Sequence, residues 1–114
     1  MSASSRDQRV SLFSYSNTGT DGIVSTVYTF TATRWARKEV PTGRELMLGE
    51  ASEHKVDAVF TFAEEVSIPV PGLLRHGSHY YEVRSVLPRR ATREQHVLAE
   101  AVDVAQQSYT VVGP

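Results

Sequence analysis

"HGSHYYEVRSVLPRR", residues 76–90, decides the fold. A glycine turn leads into Tyr80 and Tyr81. Tyr81 and Val83 then recur at every second position, the rhythm of a strand whose alternate side chains meet one core. Val86 falls out of step with them. A three-residue step inside a two-residue rhythm predicts a bulge near Arg84–Ser85. Pro88 and the arginine pair Arg89–Arg90 close the segment. The stretch therefore reads as a strand with Tyr81 and Val83 inward and Tyr80 outward.

The same rhythm extends in both directions. "RVSLFSYS" sets Val10, Leu12 and Ser14 against Ser11, Phe13 and Tyr15. "NTGTDG" follows with turn chemistry at Gly19 and Gly22. "IVSTVYTFTATRWARKEV" is dense in β-branched and aromatic residues, which suit a pleated surface. Val24, Thr26, Tyr28, Phe30 and Ala32 share one of its faces. It is long for one straight strand, so a bend or bulge is expected near Ala32 to Trp35. Pro41 and Gly43 break the pattern, and residues 41–53 read as an excursion. Alternation resumes with Val56, Ala58, Phe60 and Phe62 on one face and Asp57, Val59, Thr61 and Ala63 on the other. "VPGLLRHG" supplies two turns around the pair Leu73–Leu74. "EQHVLAEAVDVAQQ" is balanced between helix and closing strand, because its apolar spacing fits both and its composition favours helix. "SYTVVGP" reads as extended. Five short strands separated by turns, with little helix, imply an all-β sandwich or small barrel.

The totals limit the function. At 114 residues the chain makes one domain, large enough for a core without staples. It has no cysteine, which excludes disulfides and thiol catalysis. A net charge of −1 gives no bulk signal for nucleic acid. No apolar run is long enough to cross a membrane as a helix, so no membrane partner is expected. The N-terminal "MSASSRDQR" lacks an apolar h-region and reads as a short mobile tail.

Candidate chemistry is sparse. His76 and His79 would need His96 or Glu82 to complete a metal site, and their spacing matches no zinc pattern, so no metal and no cofactor is expected. The neighbours Glu64 and Glu65 point to opposite faces of a strand and do not converge for acid–base work. No serine stands in a nucleophile elbow, and there is no phosphate-binding glycine loop. The expectation is not an enzyme, with no catalytic residues. Tyr28, Phe30, Phe60, Phe62, Tyr80 and Tyr81 raise an alternative: a monomeric β-barrel that binds an oligonucleotide by stacking, or a small ligand.

Five pieces occur in a familiar order: "VSLFSY", "YTFTATRWARKE", "GRELMLGEASEHKVDAVFTF", "LLRHGSHYYEVRSV" and "HVLAEAVD". Taken together, from about Val10 to Asp103, the chain resembles the head–tail joining proteins of long-tailed bacteriophages, the head-completion, stopper or adaptor family. The resemblance implies a small closed or nearly closed antiparallel β-barrel with long loops, and it makes "HVLAEAVD" a strand. It divides the chain into a tail over 1–8, a barrel over 9–104 and an extension over 105–114. That extension either adds a strand to a neighbouring subunit or ends the chain without order. The implied role is a connector subunit at the virion neck, made and assembled in the host cytoplasm. Copies would form a cyclic ring of roughly six or twelve. The ring would join the portal or adaptor ring to a tail-completion or tail-tube protein and help retain packaged DNA. Arg34, Trp35, Arg37, Lys38 and Tyr80 are then candidates for partner-ring contacts, unless Trp35 is core and the cations merely surround it. Arg44, Glu45, Glu50 and Glu53 are candidates for a loop at the lumen, where the acidic residues would repel passing DNA rather than grip it, unless they merely solvate the loop.

Overall fold

The computed structural model describes residues 7–20, 23–40, 56–107 and 109–113. Among them are seven strands and no helix. These are β1 (Gln8–Thr20), β2 (Ile23–Glu39), β3 (Ala58–Ala63), β4 (Gly72–His76), β5 (His79–Arg89), β6 (Glu94–Val102) and β7 (Thr110–Val112). The all-β reading holds, with two strands more than the sequence count. β4 was read only as an apolar pair between turns. The extended tail forms β7.

The strands β1, β4, β5, β6, β3 and β2 follow one another as hydrogen-bonded neighbours, and β2 returns to β1. Six strands thus form a closed antiparallel ring, in which every strand has a neighbour on each side for at least part of its length. β7 lies outside the ring, parallel to β2 over Val27–Thr29. β2 meets β3 only over Arg37–Glu39, so the ring is narrowest in pairing there. The segment after β3 crosses toward this seam. Its Val66 and Ile68 pack on the inner core, and Gln95 Nε2 donates to the carbonyls of Ala63 (2.9 Å) and Val66 (2.6 Å).

Residues facing inward make the main core. Leu12, Leu74 and Tyr81 are successive register partners across β1, β4 and β5. Phe60 and Phe62 of β3 and Val97 and Ala99 of β6 complete it, all fully buried. The Phe60 and Tyr81 rings meet edge to face at 5.1 Å. Burying each large apolar side chain contributes about 1.5–3 kcal/mol. β6 is a strand, as the family resemblance implied and its own composition did not.

Two further clusters lie on the outer face. Val59, Leu98 and Val56 form one, so Val56 leaves the face it was expected to share with Ala58. Phe13, Tyr28 and Leu73 form the other, covered by Tyr109 and Val111 of the C-terminal segment. The tail therefore docks on its own chain.

Both clusters of the β1–β2 hairpin depend on one extra residue. Leu12 pairs with Ala32 and Phe13 with Phe30, which leaves Thr31 unmatched. A single inserted residue reverses which side chains face inward. Tyr28 and Phe30 belong to the outer cluster, whereas Ala36 beyond the bulge belongs to the inner core. The Thr31 hydroxyl donates to the Leu12 carbonyl at 3.1 Å. The expected irregularity in β2 is real, one residue earlier than the predicted span. The bulge in β5 falls at Arg84, as the spacing of Tyr81, Val83 and Val86 required.

Candidate functional site

Strand alternation scatters the expected partner contacts. Trp35 and Arg37 project outward from β2. Lys38 turns the other way, with its Nζ 5.8 Å from the centre of the Tyr81 ring. Trp35 is 54% exposed, so it is not core. Its register partner Arg9 lays its guanidinium over the indole at 5.5 Å. A tryptophan held flat by a cation on an open surface is a common anchor for protein contacts. Arg34 is exposed, and its Nη1 donates to the Thr33 carbonyl at 3.0 Å. Arg37 is already engaged: its Nε donates to Glu39 Oε1 at 2.8 Å, and Nη1 stands 3.5 Å from Glu94 Oε2. Tyr80 faces outward, half-buried, with its ring 6.4 Å from Phe13. Arg44, Glu45, Glu50 and Glu53 lie outside the described residues.

The backbone beside Trp35 has a more specific property. One edge of β2 is hydrogen-bonded to β1. The other meets β7 over Val27–Thr29 and β3 over Arg37–Glu39. Between those two segments, from Phe30 to Ala36, no described strand pairs with that edge. Ser67 and Pro69 face Thr31, Ala32 and Arg34 across a depression of about 340 Å³.

The aromatics considered for base stacking are mostly interior. Phe60 and Phe62 have no exposed surface, and Tyr28 and Tyr81 are buried. They do not present a platform. His76 and His79 are register partners at the β4–β5 turn, and among the described residues no three metal-binding side chains converge. His76 Nε2 lies 2.8 Å from Gln8 Oε1. Burial, then the charges of Lys38 and His79, hold its pKa below the ordinary imidazole value.

Two polar features were not anticipated. On the outer face Glu82 and Glu100 stand directly opposite each other across β5 and β6, an unfavourable pairing of like charges. The bulge residue Arg84 lies between them, bonded to Glu100 Oε1 through Nε (2.8 Å) and Nη2 (2.6 Å) and 3.4 Å from Glu82 Oε2. The Tyr109 hydroxyl donates to Glu82 Oε1 at 2.9 Å and so ties the tail to this network. Burial first, then the bond to Glu82, raises the Tyr109 pKa above the usual phenol value. Burial likewise raises that of Tyr28. The second feature is a groove of about 490 Å³ at the β5–β6 turn, lined by Arg37, Arg89, Arg90, Thr92, Glu94 and His96. The doublet Arg89–Arg90 is visible in the sequence as the end of a strand. Arg37 and His96 reach the same groove only through the pairing of β2 with β3 and β3 with β6.

Comparison with known proteins bears on the fold. No family model matches the chain, and no curated protein matches it. The fold is similar to the solution structure of protein SF1141 from Shigella flexneri 2a, with a TM-score of 0.68. That match covers 89% of this chain and 96% of the other at 13% identity, a likeness of fold alone.

Proposed function

We propose that the chain is a structural connector subunit of the neck of a tailed phage or phage-like particle. Copies form a ring that joins the portal or adaptor to the tail and helps retain packaged DNA. The order of sequence pieces from Val10 to Asp103 favours this role. The observation that carries it is the stretch of β2 edge over Phe30–Ala36 that no described strand pairs, beside the exposed, cation-capped Trp35. Subunits of cyclic rings beyond a dimer need two unlike contact faces, and strand addition at such an edge supplies one.

The test is light scattering on the purified chain, alone and mixed with the portal or adaptor ring of the same particle. A ring-sized species or a stable complex is expected. Trp35→Ala should abolish it while the circular dichroism spectrum stays that of a β-protein. A chain that remains monomeric and ignores the portal ring, or a Trp35→Ala variant that assembles normally, overturns the reading. Electron microscopy of intact particles would place the subunit at the neck or exclude it.

A further inference from the structure

The segment after β6 is held in two separable ways. Residues 103–107 close a turn on themselves. Gln107 N donates to the Asp103 carbonyl at 3.0 Å, and Asp103 Oδ1 accepts from the amides of Ala105 (3.1 Å) and Gln106 (3.2 Å). These bonds are local and involve no strand of the ring. Beyond the turn, β7 holds to β2 through a ladder of three residues, Thr110–Val112 against Val27–Thr29. Tyr109 and Val111 pack on the cluster of Phe13, Tyr28 and Leu73, and the Tyr109 hydroxyl bonds to Glu82. Gly113 lies so close that a Cβ on it would stand 2.5 Å from Phe30 Cβ. The seat therefore fits this segment, with an aromatic, a valine and a glycine at alternate positions.

We propose that the segment Tyr109–Gly113 is exchanged between copies of this chain, each tail pairing with β2 of a neighbour. The occupant is chosen by the structure, which shows this segment in the seat. The ladder, the bond to Glu82 and the close approach to Phe30 form equally from a second copy's tail. Exchange opens one turn, whose residues Asp103, Ala105, Gln106 and Gln107 are exposed, and costs the association of two chains. That cost shrinks when copies stand side by side, at an effective concentration on the order of millimolar. A ladder of three residues also opens more readily than the longer strands of the ring. Past Thr29 the same edge of β2 carries no described strand as far as Ala36, so a copy approaching along it meets none there. The inference goes beyond the connector reading and does not depend on it. A chain that exchanges tails but ignores a portal ring sinks that reading and leaves this one standing.

The test is nuclear magnetic resonance on the full chain at about 1 mM, the range of that effective concentration. Isotopically labelled and unlabelled copies are unfolded, mixed in equal amounts and refolded together. The labels select contacts between the Tyr109 ring of one chain and the Tyr28 ring of another. Such inter-chain contacts are expected, and light scattering at the same concentration should give at least about twice the chain mass. Deleting Ala105 and Gln106 removes the turn, so the segment no longer reaches its own β2. The shortened chain should stay associated at a concentration at least about tenfold lower than the parent, since a short hinge favours exchange. Its circular dichroism should remain that of a β-protein. Tyr109–Tyr28 contacts found only within single chains overturn the proposal, whatever the mass. A shortened chain that is monomeric, with the amides of residues 27–29 unprotected, overturns it too. If the shortened chain does not fold, the label experiment on the parent still decides.

Discussion

Gly72 occupies a place where no side chain fits. A Cβ there would stand 2.3 Å from the Pro69 carbonyl oxygen and 3.0 Å from that of Phe13. Both obstacles are backbone and cannot swing aside. Gly72→Ala is expected to lower the unfolding free energy by about 2–3 kcal/mol, the cost of overpacking a fixed site. Gly77, with φ of 62° at the β4–β5 turn, meets nothing within 4 Å. Gly77→Ala should cost only the left-handed backbone penalty, about 1–2 kcal/mol. Urea denaturation of the two variants side by side separates crowding from conformation. Tyr109 allows a different test. Its pKa and that of Tyr28 are raised in the folded chain, while an unfolded phenol titrates near about 10. Above that pH the unfolded chain releases protons that the folded chain keeps, so unfolding is favoured. The stabilisation is complete below about pH 10 and is lost as pH rises from there through the folded values. The urea midpoint should fall across this alkaline range. Tyr109→Phe should start lower by about 1 kcal/mol, for the lost bond to Glu82, and then fall less steeply.

At the scale of elements, the C-terminal segment covers a cluster that the ring cannot cover itself. Tyr109 meets Tyr28 edge to face at 5.2 Å, and Val111 packs on the same cluster. Removing residues 105–114 should expose Phe13, Tyr28 and Tyr80. The expected loss is about 2–4 kcal/mol, from the apolar burial of one aromatic and one valine. Amide exchange should speed up in residues 25–30 and change little in β3 and β6, which take no part in that cluster. How far the elements were legible follows from burial. β5 shows its bulge because Tyr81, Val83 and Val86 are inward while the residues between them are polar. β2 hides its bulge because Tyr28, Phe30 and Ala32 sit at even positions, and both faces of the hairpin bury apolar side chains. β6 buries Val97 and Ala99 inward and Leu98 outward, so its apolar run carries no period of two and imitates a helix. β4 fails for the same reason: Leu74 and Leu73 are adjacent and buried in different clusters. Trp35 was visible as a candidate contact. The groove at the β5–β6 turn was not, because its arginines come from β2 and β5 and meet only through pairings that no local pattern encodes.

For the molecule as a whole, the open β2 edge and the arginine groove differ in chemistry but adjoin, since the edge ends at Ala36 and Arg37 lines the groove. The open β2 edge offers backbone hydrogen bonds beside an indole. The arginine groove offers charge. Because Trp35 and Arg37 are neighbours on one face of β2, substitutions at the two should couple rather than add. The ring also imposes an order on biosynthesis. β1 and β2 leave the ribosome first, yet an isolated two-stranded hairpin is marginal in water. β1 finds its second neighbour only when β4 arrives, and β6 alone joins β5 to β3. Nascent chains halted before residue 102 should therefore be cut readily by a protease, and chains with β6 clear of the ribosome should resist. A ring so arranged gains its protection in a single step, when β6 closes the gap between β5 and β3.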